Sequence, residues 1–157
     1  MSYGLERGEI SALYRPDSVV DGVVRPKSAV RFVAPGSVTE SRYGLFRWNM
    51  QPQAGGPEPH FHRTFSEAFY IVSGTVRLYD GREWVEAQAG DYLYVPEGGI
   101  HAFSNDSDKP ASMLILYSPG TPRERFFTAS AEIANSGQEL TPEEWTVFLA
   151  EHDQYTA

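Results

Sequence analysis

Residues 55–74 read GGPEPHFHRTFSEAFYIVSG, and residues 90–105 read GDYLYVPEGGIHAFSN. Together they hold three of the four histidines in the 157-residue chain, His60, His62 and His101, and one well-placed carboxylate, Glu67. The loop from Pro52 to Pro59, rich in proline and glycine, opposes both a helix and a central strand. His60 and His62 therefore belong to an extended segment, where a spacing of two sends both imidazoles to one face with Phe61 opposite. On a helix the same spacing would separate them by about 200°. Glu67 returns to the same centre if the chain turns through Arg63 to Ser66, and His101 must arrive from a distant strand. Three imidazoles and one carboxylate suit one divalent transition metal; Fe, Mn, Ni, Cu and Zn all accept such donors.

The surrounding chain reads as strands first and helices last. Ala29 to Val33 is strand-like and stops at Ala34-Pro35-Gly36. Tyr43 to Met50 alternates so that Phe46, Trp48 and Met50 share the more apolar face, as core, as a ligand wall, or as both. Glu67 to Ser73 is β-rich, Thr75 to Tyr79 and Glu83 to Ala87 flank the hairpin signal Asp80-Gly81, and short strands follow at Tyr92 to Val95 and Ile100 to Ser104. Phe69, Ile71 and Phe103 share strand parity with the metal-ligand candidates, which makes them candidate substrate-pocket residues unless a bulge reverses the parity. Asn105 is expected to hold a turn, and Ala111 to Tyr117 is an apolar strand. After Ser118 the character changes. Thr121-Pro122-Arg123-Glu124 and Thr141-Pro142-Glu143-Glu144 each combine an N-cap hydroxyl, a proline at the first helical position and a glutamate three residues after the cap. They predict helices over 122–133 and 142–152. Residues 1–28 form an arm with a short edge strand near Val19 to Val24.

Composition narrows the function classes. A chain of this length is one domain with a real core. Its net charge of −8 opposes nucleic acid and anionic membranes as partners. Residues 1–50 carry seven Lys/Arg against five Asp/Glu, whereas residues 132–157 carry six acids and no Lys or Arg. That asymmetry is either a solvated acidic tail or a basic arm and acidic tail meeting across a subunit contact. The absence of cysteine removes disulfide and thiolate chemistry. No signal-peptide core or apolar run of membrane-spanning length occurs, so a cytoplasmic location and no membrane partner are expected.

Gly55 or Gly56 followed by His60-x-His62-x4-Glu67-x6-Gly74 resembles the first motif of the cupin superfamily. Gly90-x5-Pro96-x-Gly98-x2-His101-x3-Asn105 resembles the second. The resemblance implies an all-β fold: the cupin double-stranded β-helix, a jelly-roll-like barrel over 29–118, with an N-terminal arm over 1–28. Two short C-terminal helices would form an extension over 119–157 packed on the barrel. It implies that His60, His62, Glu67 and His101 bind one divalent transition metal per subunit, leaving coordination positions open, and that the chain forms a homodimer. Pro57-Glu58-Pro59-His60-Phe61-His62, with Glu67-Ala68-Phe69-Tyr70-Ile71-Val72-Ser73-Gly74, is similar to the quercetinase-like single-domain group. That likeness implies a metal-dependent dioxygenase, an oxidoreductase acting on a small aromatic or polyketide-like substrate, with Glu67 as ligand and catalytic base. Metal-assisted isomerisation, cyclisation or lyase chemistry, and non-catalytic small-molecule binding, stay open as alternatives.

Overall fold

Alternating apolar and polar side chains build most of the chain into short antiparallel strands. A computed structural model describes residues 2–157. An extended arm and one 3-10 turn at Asp17–Val19 lead into β1 (Gly22–Val24), β2 (Ser28–Ala34), β3 (Gly44–Met50), β4 (His60–Phe61) and β5 (Ser66–Ser73). There follow β6 (Val76–Tyr79), β7 (Trp84–Ala87), β8 (Tyr92–Val95), β9 (Ala102–Ser104) and β10 (Ala111–Ser118). Two helices, α1 (Arg123–Ser136) and α2 (Pro142–Glu151), precede a last short strand, β11 (Tyr155–Thr156).

The strands form three sheets: six strands in the order β1-β2-β3-β10-β5-β8, three in the order β7-β6-β9, and the pair β11-β4. This corrects the expected fold class. The edge strands β1 and β8 of the large sheet do not pair with each other, so the sheets are not closed into a barrel. The two helices also make the fold mixed α/β rather than all-β. The physical reason lies in the linking segments. The Pro52 to Pro59 loop withholds backbone donors, and β4 is only two residues long. The ligand segment is joined to the β9 side by two isolated bridges, Ala54 with Asn105 and His60 with His101, instead of a continuous ladder.

The core lies inside these sheets. β3 buries Phe46, Trp48 and Met50 and turns Arg47 outward, while β5 buries Glu67, Phe69 and Ile71. Asn105 is fully buried and spends its amide on the turn: Nδ2 donates to the carbonyls of Gln51 and Lys109, and Oδ1 accepts from Ser107. Gly56 passes so close to the Phe103 carbonyl that a Cβ there would collide with it, which keeps the loop tight against β9.

α1 docks through Phe127, which is 3% exposed and meets the rings of Phe32, Phe46, Trp48 and Tyr117. The helix is tied to the arm by Arg25 Nη1 donating to Ser130 Oγ and Asn135 Nδ2 donating to the Val24 carbonyl. The two proline-containing start signals part company. Thr141 and Glu144 form the full capping box, whereas α1 has Pro122 at its cap with no side-chain bond, and the Thr121 hydroxyl is buried without a partner. The Arg123 N–H donates to the Thr121 carbonyl at 2.7 Å, so this helix start is tied to the Thr121 backbone and not to its hydroxyl. Phe127→Ala is expected to cost about 3–5 kcal/mol, and Thr141→Ala about 1 kcal/mol. In thermal unfolding the first lowers Tm by on the order of 10 °C and the second by a few degrees.

Candidate metal centre

The β4 segment, the start of β5 and the residue before β9 bring His60, His62, Glu67 and His101 together. One ligand-capable atom from each lies within 4.8 Å of all the others, and all four residues are buried. The pairing follows from the chain's local habits. His60 and His62 flank the outward Phe61 as strand parity requires, and His60 and His101 exchange both backbone hydrogen bonds at 3.0 Å. Gly98, at φ +81°, turns its N–H onto the His62 carbonyl at 2.7 Å and so ties the turn before His101 to the first ligand segment.

The hydrogen bonds decide the tautomers. His60 Nδ1 donates to the Glu58 carbonyl at 2.8 Å, His62 Nδ1 to the Asp153 carbonyl at 2.6 Å, and His101 Nδ1 to the Gly99 carbonyl at 3.0 Å. A carbonyl oxygen only accepts, so each Nδ1 carries a proton, and each ring when neutral presents its Nε2 lone pair to the centre. His101 Nε2 approaches Glu67 Oε2 at 2.8 Å. His62 Nε2 lies 3.1 Å from the same oxygen but is not aligned for a hydrogen bond, and it is a buried nitrogen without a partner. A divalent ion fits this donor set, because it would satisfy that nitrogen and the Glu67 charge at once. The cluster therefore forms a site for one divalent metal per subunit.

Charge and burial act against each other here. Burial first, and then the charge on His101, push His60 down to about 3, so it stays neutral. Burial alone would raise Glu67, but the charge and hydrogen bond of His101, followed by the contacts with His62, outweigh it and hold the carboxyl well below its ordinary range. Burial would lower His101, but Glu67 reverses that and raises it. Burial, reinforced by the Glu67 charge, lifts the Tyr117 phenol far above its usual range. Tyr117 is the strand partner of Glu67 and only 2% exposed, so a protonated phenol sits beside the carboxylate.

All six candidate pocket residues, Phe46, Trp48, Met50, Phe69, Ile71 and Phe103, are buried. Phe69 lies 5.8 Å from the His101 ring and 5.7 Å from Phe103, which meets Trp48 at 5.4 Å. Phe46 is turned instead toward Phe32, Tyr117 and Phe127. Three neighbours of the centre had no signal in the sequence: Tyr117, the carbonyl of Asp153, and Arg123. The Arg123 guanidinium is 4% exposed and lies over the rings of Phe126, Phe65 and Tyr117. Among the described residues no helix is long and apolar enough to cross a membrane.

Residues 46–117 match the sequence profile of the Cupin domain family. An uncharacterized protein of Aquifex aeolicus is 30% identical over 61 residues, covering 39% of this chain and 50% of that protein. Quercetin 2,3-dioxygenase of Bacillus subtilis is 29% identical over 48 residues, covering 31% of this chain and 14% of that enzyme. The matched segment thus spans half or less of these relatives. Among solved structures, the polyketide cyclase RemF from Streptomyces resistomycificus is similar at TM-score 0.59 and 17% identity, over 69% of this chain and 80% of that one. A predicted oxalate decarboxylase from Thermotoga maritima reaches TM-score 0.61 at 16% identity, over 68% of this chain and 99% of that one. At such identities the likeness is one of fold.

Full-length protein dialysed against Zn2+ is expected to keep one equivalent by elemental analysis, and the His60→Ala, His101→Ala double variant to lose it. Ligation requires neutral histidines, and Glu67 holds His101 protonated above the ordinary imidazole range. Metal uptake therefore expels that proton, and affinity rises with pH until the raised His101 value is passed. Calorimetry in buffers of different ionisation enthalpy reads the released proton directly. The metal-free fold weakens in the same direction. A histidine lowered to about 3 removes stability as pH falls from about 6.5, the unfolded value, toward 3, and the depressed Glu67 acts in the same direction below its own unfolded value.

Proposed function

We propose, on the premise that residues 46–117 belong to the cupin superfamily, that this protein is a metal-dependent enzyme of the dioxygenase type. Its substrate in this reading is a small aromatic or polyketide-like molecule bearing a hydroxyl or enol oxygen. The observation that carries the reading is the buried centre itself: three imidazoles whose Nδ1 atoms are already engaged, and one carboxylate, with their ligand atoms within 4.8 Å of each other. A divalent transition ion held there supplies Lewis acidity and, where it is redox-active, the electron exchange that dioxygen chemistry needs.

The chain's own residues divide the remaining work. His60, His62 and His101 hold the ion. Glu67 completes the set and, ionised at its place beside His101, accepts the proton that the substrate hydroxyl gives up. Phe69, Phe103 and Trp48 offer apolar surface to an aromatic ring, and Phe46, Met50 and Ile71 keep water from the centre. The partial likeness to a quercetin dioxygenase supports this substrate class.

One observation favours a second reading. Tyr117 stays protonated next to Glu67, and a paired acid and base suit metal-assisted isomerisation, cyclisation or lyase chemistry as well as oxygenation. The fold likeness to a polyketide cyclase is in keeping with it. A homodimer completes the proposal, on the strength of the family resemblance.

Elemental analysis of protein purified without added metal comes first, followed by oxygen uptake with flavonols and related enediols. The expected result is uptake matched to substrate loss and abolished by Glu67→Ala. No uptake with Fe, Mn, Ni or Cu bound sinks the dioxygenase reading. Under the second reading Tyr117→Phe lowers turnover by about 10²–10⁴-fold while metal content holds. A stable monomer in light scattering refutes the dimer.

A further inference from the structure

We propose that the C-terminal segment 152–157 is a positioning element of the metal centre, with Asp153 as its positioning residue. The proposal rests on the metal reading of His60, His62, Glu67 and His101 and goes beyond it, because nothing in the tail ligates.

Two of the three Nδ1 acceptors are local: Glu58 lies two residues before His60, and Gly99 two before His101. The acceptor for His62 is 91 residues away, the carbonyl of Asp153, and the bond is the shortest of the three at 2.6 Å. The same residue grips the next two positions of the ligand segment with its side chain. Its carboxylate accepts from the Arg63 N–H at 3.0 Å, from the Thr64 N–H at 2.9 Å and from the Thr64 hydroxyl at 2.6 Å. Asp153 thus holds His62 and the start of the turn that leads to Glu67.

The backbone at Asp153 is built for this purpose. After α2 the chain turns sharply: Asp153 N–H donates to the Ala150 carbonyl at 3.1 Å, and Gln154 N–H to the Leu149 carbonyl at 3.0 Å. That turn leaves Asp153 at φ +55°. The left-handed region is unfavourable for most L-residues, with Asp and Asn among the better tolerated. Such conformations persist where the surroundings over-determine them.

The rest of the tail locks the same segment from both sides. β11 supplies the only ladder that β4 has among the described residues, pairing Tyr155 with Phe61 and Thr156 with His60. The Ala157 N–H donates to the Pro59 carbonyl at 3.0 Å, Tyr155 stacks on Phe61 at 5.5 Å, and the Arg63 guanidinium lies 4.0 Å over Tyr155. From the helix side, buried Arg123 donates through Nη1 to the His152 carbonyl at 2.7 Å and through Nη2 to Gln154 Oε1 at 3.2 Å. The tautomer and ring direction of His62 therefore depend on the tail being docked. By linkage, an ion at the centre holds the tail down as firmly as the tail favours the ion.

The test uses the full chain, with Zn2+ alone as the probe. Asp153→Ala is expected to weaken Zn2+ binding by about 10–100-fold in calorimetry, and Asp153→Asn, which tolerates the same backbone and keeps an acceptor, to recover most of it. The visible spectrum of bound Co2+ should shift in Asp153→Ala, a change that general destabilisation does not produce. A second measurement needs no variant: on wild type, Zn2+ should slow hydrogen exchange at the amides of Arg63, Thr64 and Ala157. An Asp153→Ala protein that folds and binds Zn2+ within about twofold of wild type overturns the proposal, as does unchanged exchange at those three amides. A wild type that takes up no Zn2+ overturns the metal reading and this proposal with it, so the two failures are distinct.

Discussion

Three backbone carbonyls, those of Glu58, Asp153 and Gly99, take the Nδ1 protons of His60, His62 and His101, and the rest of the site depends on those bonds. An imidazole with its Nδ1–H spent on a carbonyl has one lone pair left and only one direction in which to offer it. With the three rings held in place around Glu67, binding needs only the loss of the proton that His101 shares with that carboxylate, which reduces the reorganisation it would otherwise require. Much of the local backbone can be read as the means of holding those carbonyls still: the bridge between His60 and His101, the Gly98 turn bonded to His62, and the tail strand laid along β4.

This preorganisation has an electrostatic cost. Glu67 at 4% exposure, among rings at 1–5%, is a carboxylate withdrawn from water, and burial alone would drive it toward the neutral form. An uncompensated buried charge is worth several kcal/mol of destabilisation. Compensation comes from His101 and His62. The cluster is therefore self-consistent without an ion yet poised for one, since a divalent cation would replace the proton shared by His101 and Glu67 with a larger charge at the same point.

Much of the centre was legible in the sequence because its signals are local. The spacing of two between His60 and His62 needs only strand parity to put both rings on one face, and the Pro52 to Pro59 loop needs only proline's missing N–H to exclude a helix. The same holds for the inward set Phe46, Trp48 and Met50, for the hairpin at Asp80-Gly81, and for the capping box of Thr141 with Glu144. Thr121 shows the limit. Its signature is the same as that of Thr141, but its hydroxyl caps no helix N–H and is buried without a partner.

What the sequence by itself determined is four candidate donor side chains and the common face of His60 and His62, because side-chain direction along an extended segment follows from a period of two. Tertiary structure alone decided how the sheets meet. Parity says which face is buried but nothing of closure, and the open edges of β1 and β8 replace the expected barrel. It also decided the neighbours of the donors. Tyr117 faces Glu67 through the register of β10 on β5, which shifts between Ser112 and Met113, and one residue of slip would put a different side chain there. Asp153 reaches His62 across 91 residues only because α1 and α2 fold back and lay the tail on β4. Contacts set by register and by the return of a distant segment depend on the packing of the whole chain, and no local pattern encodes them.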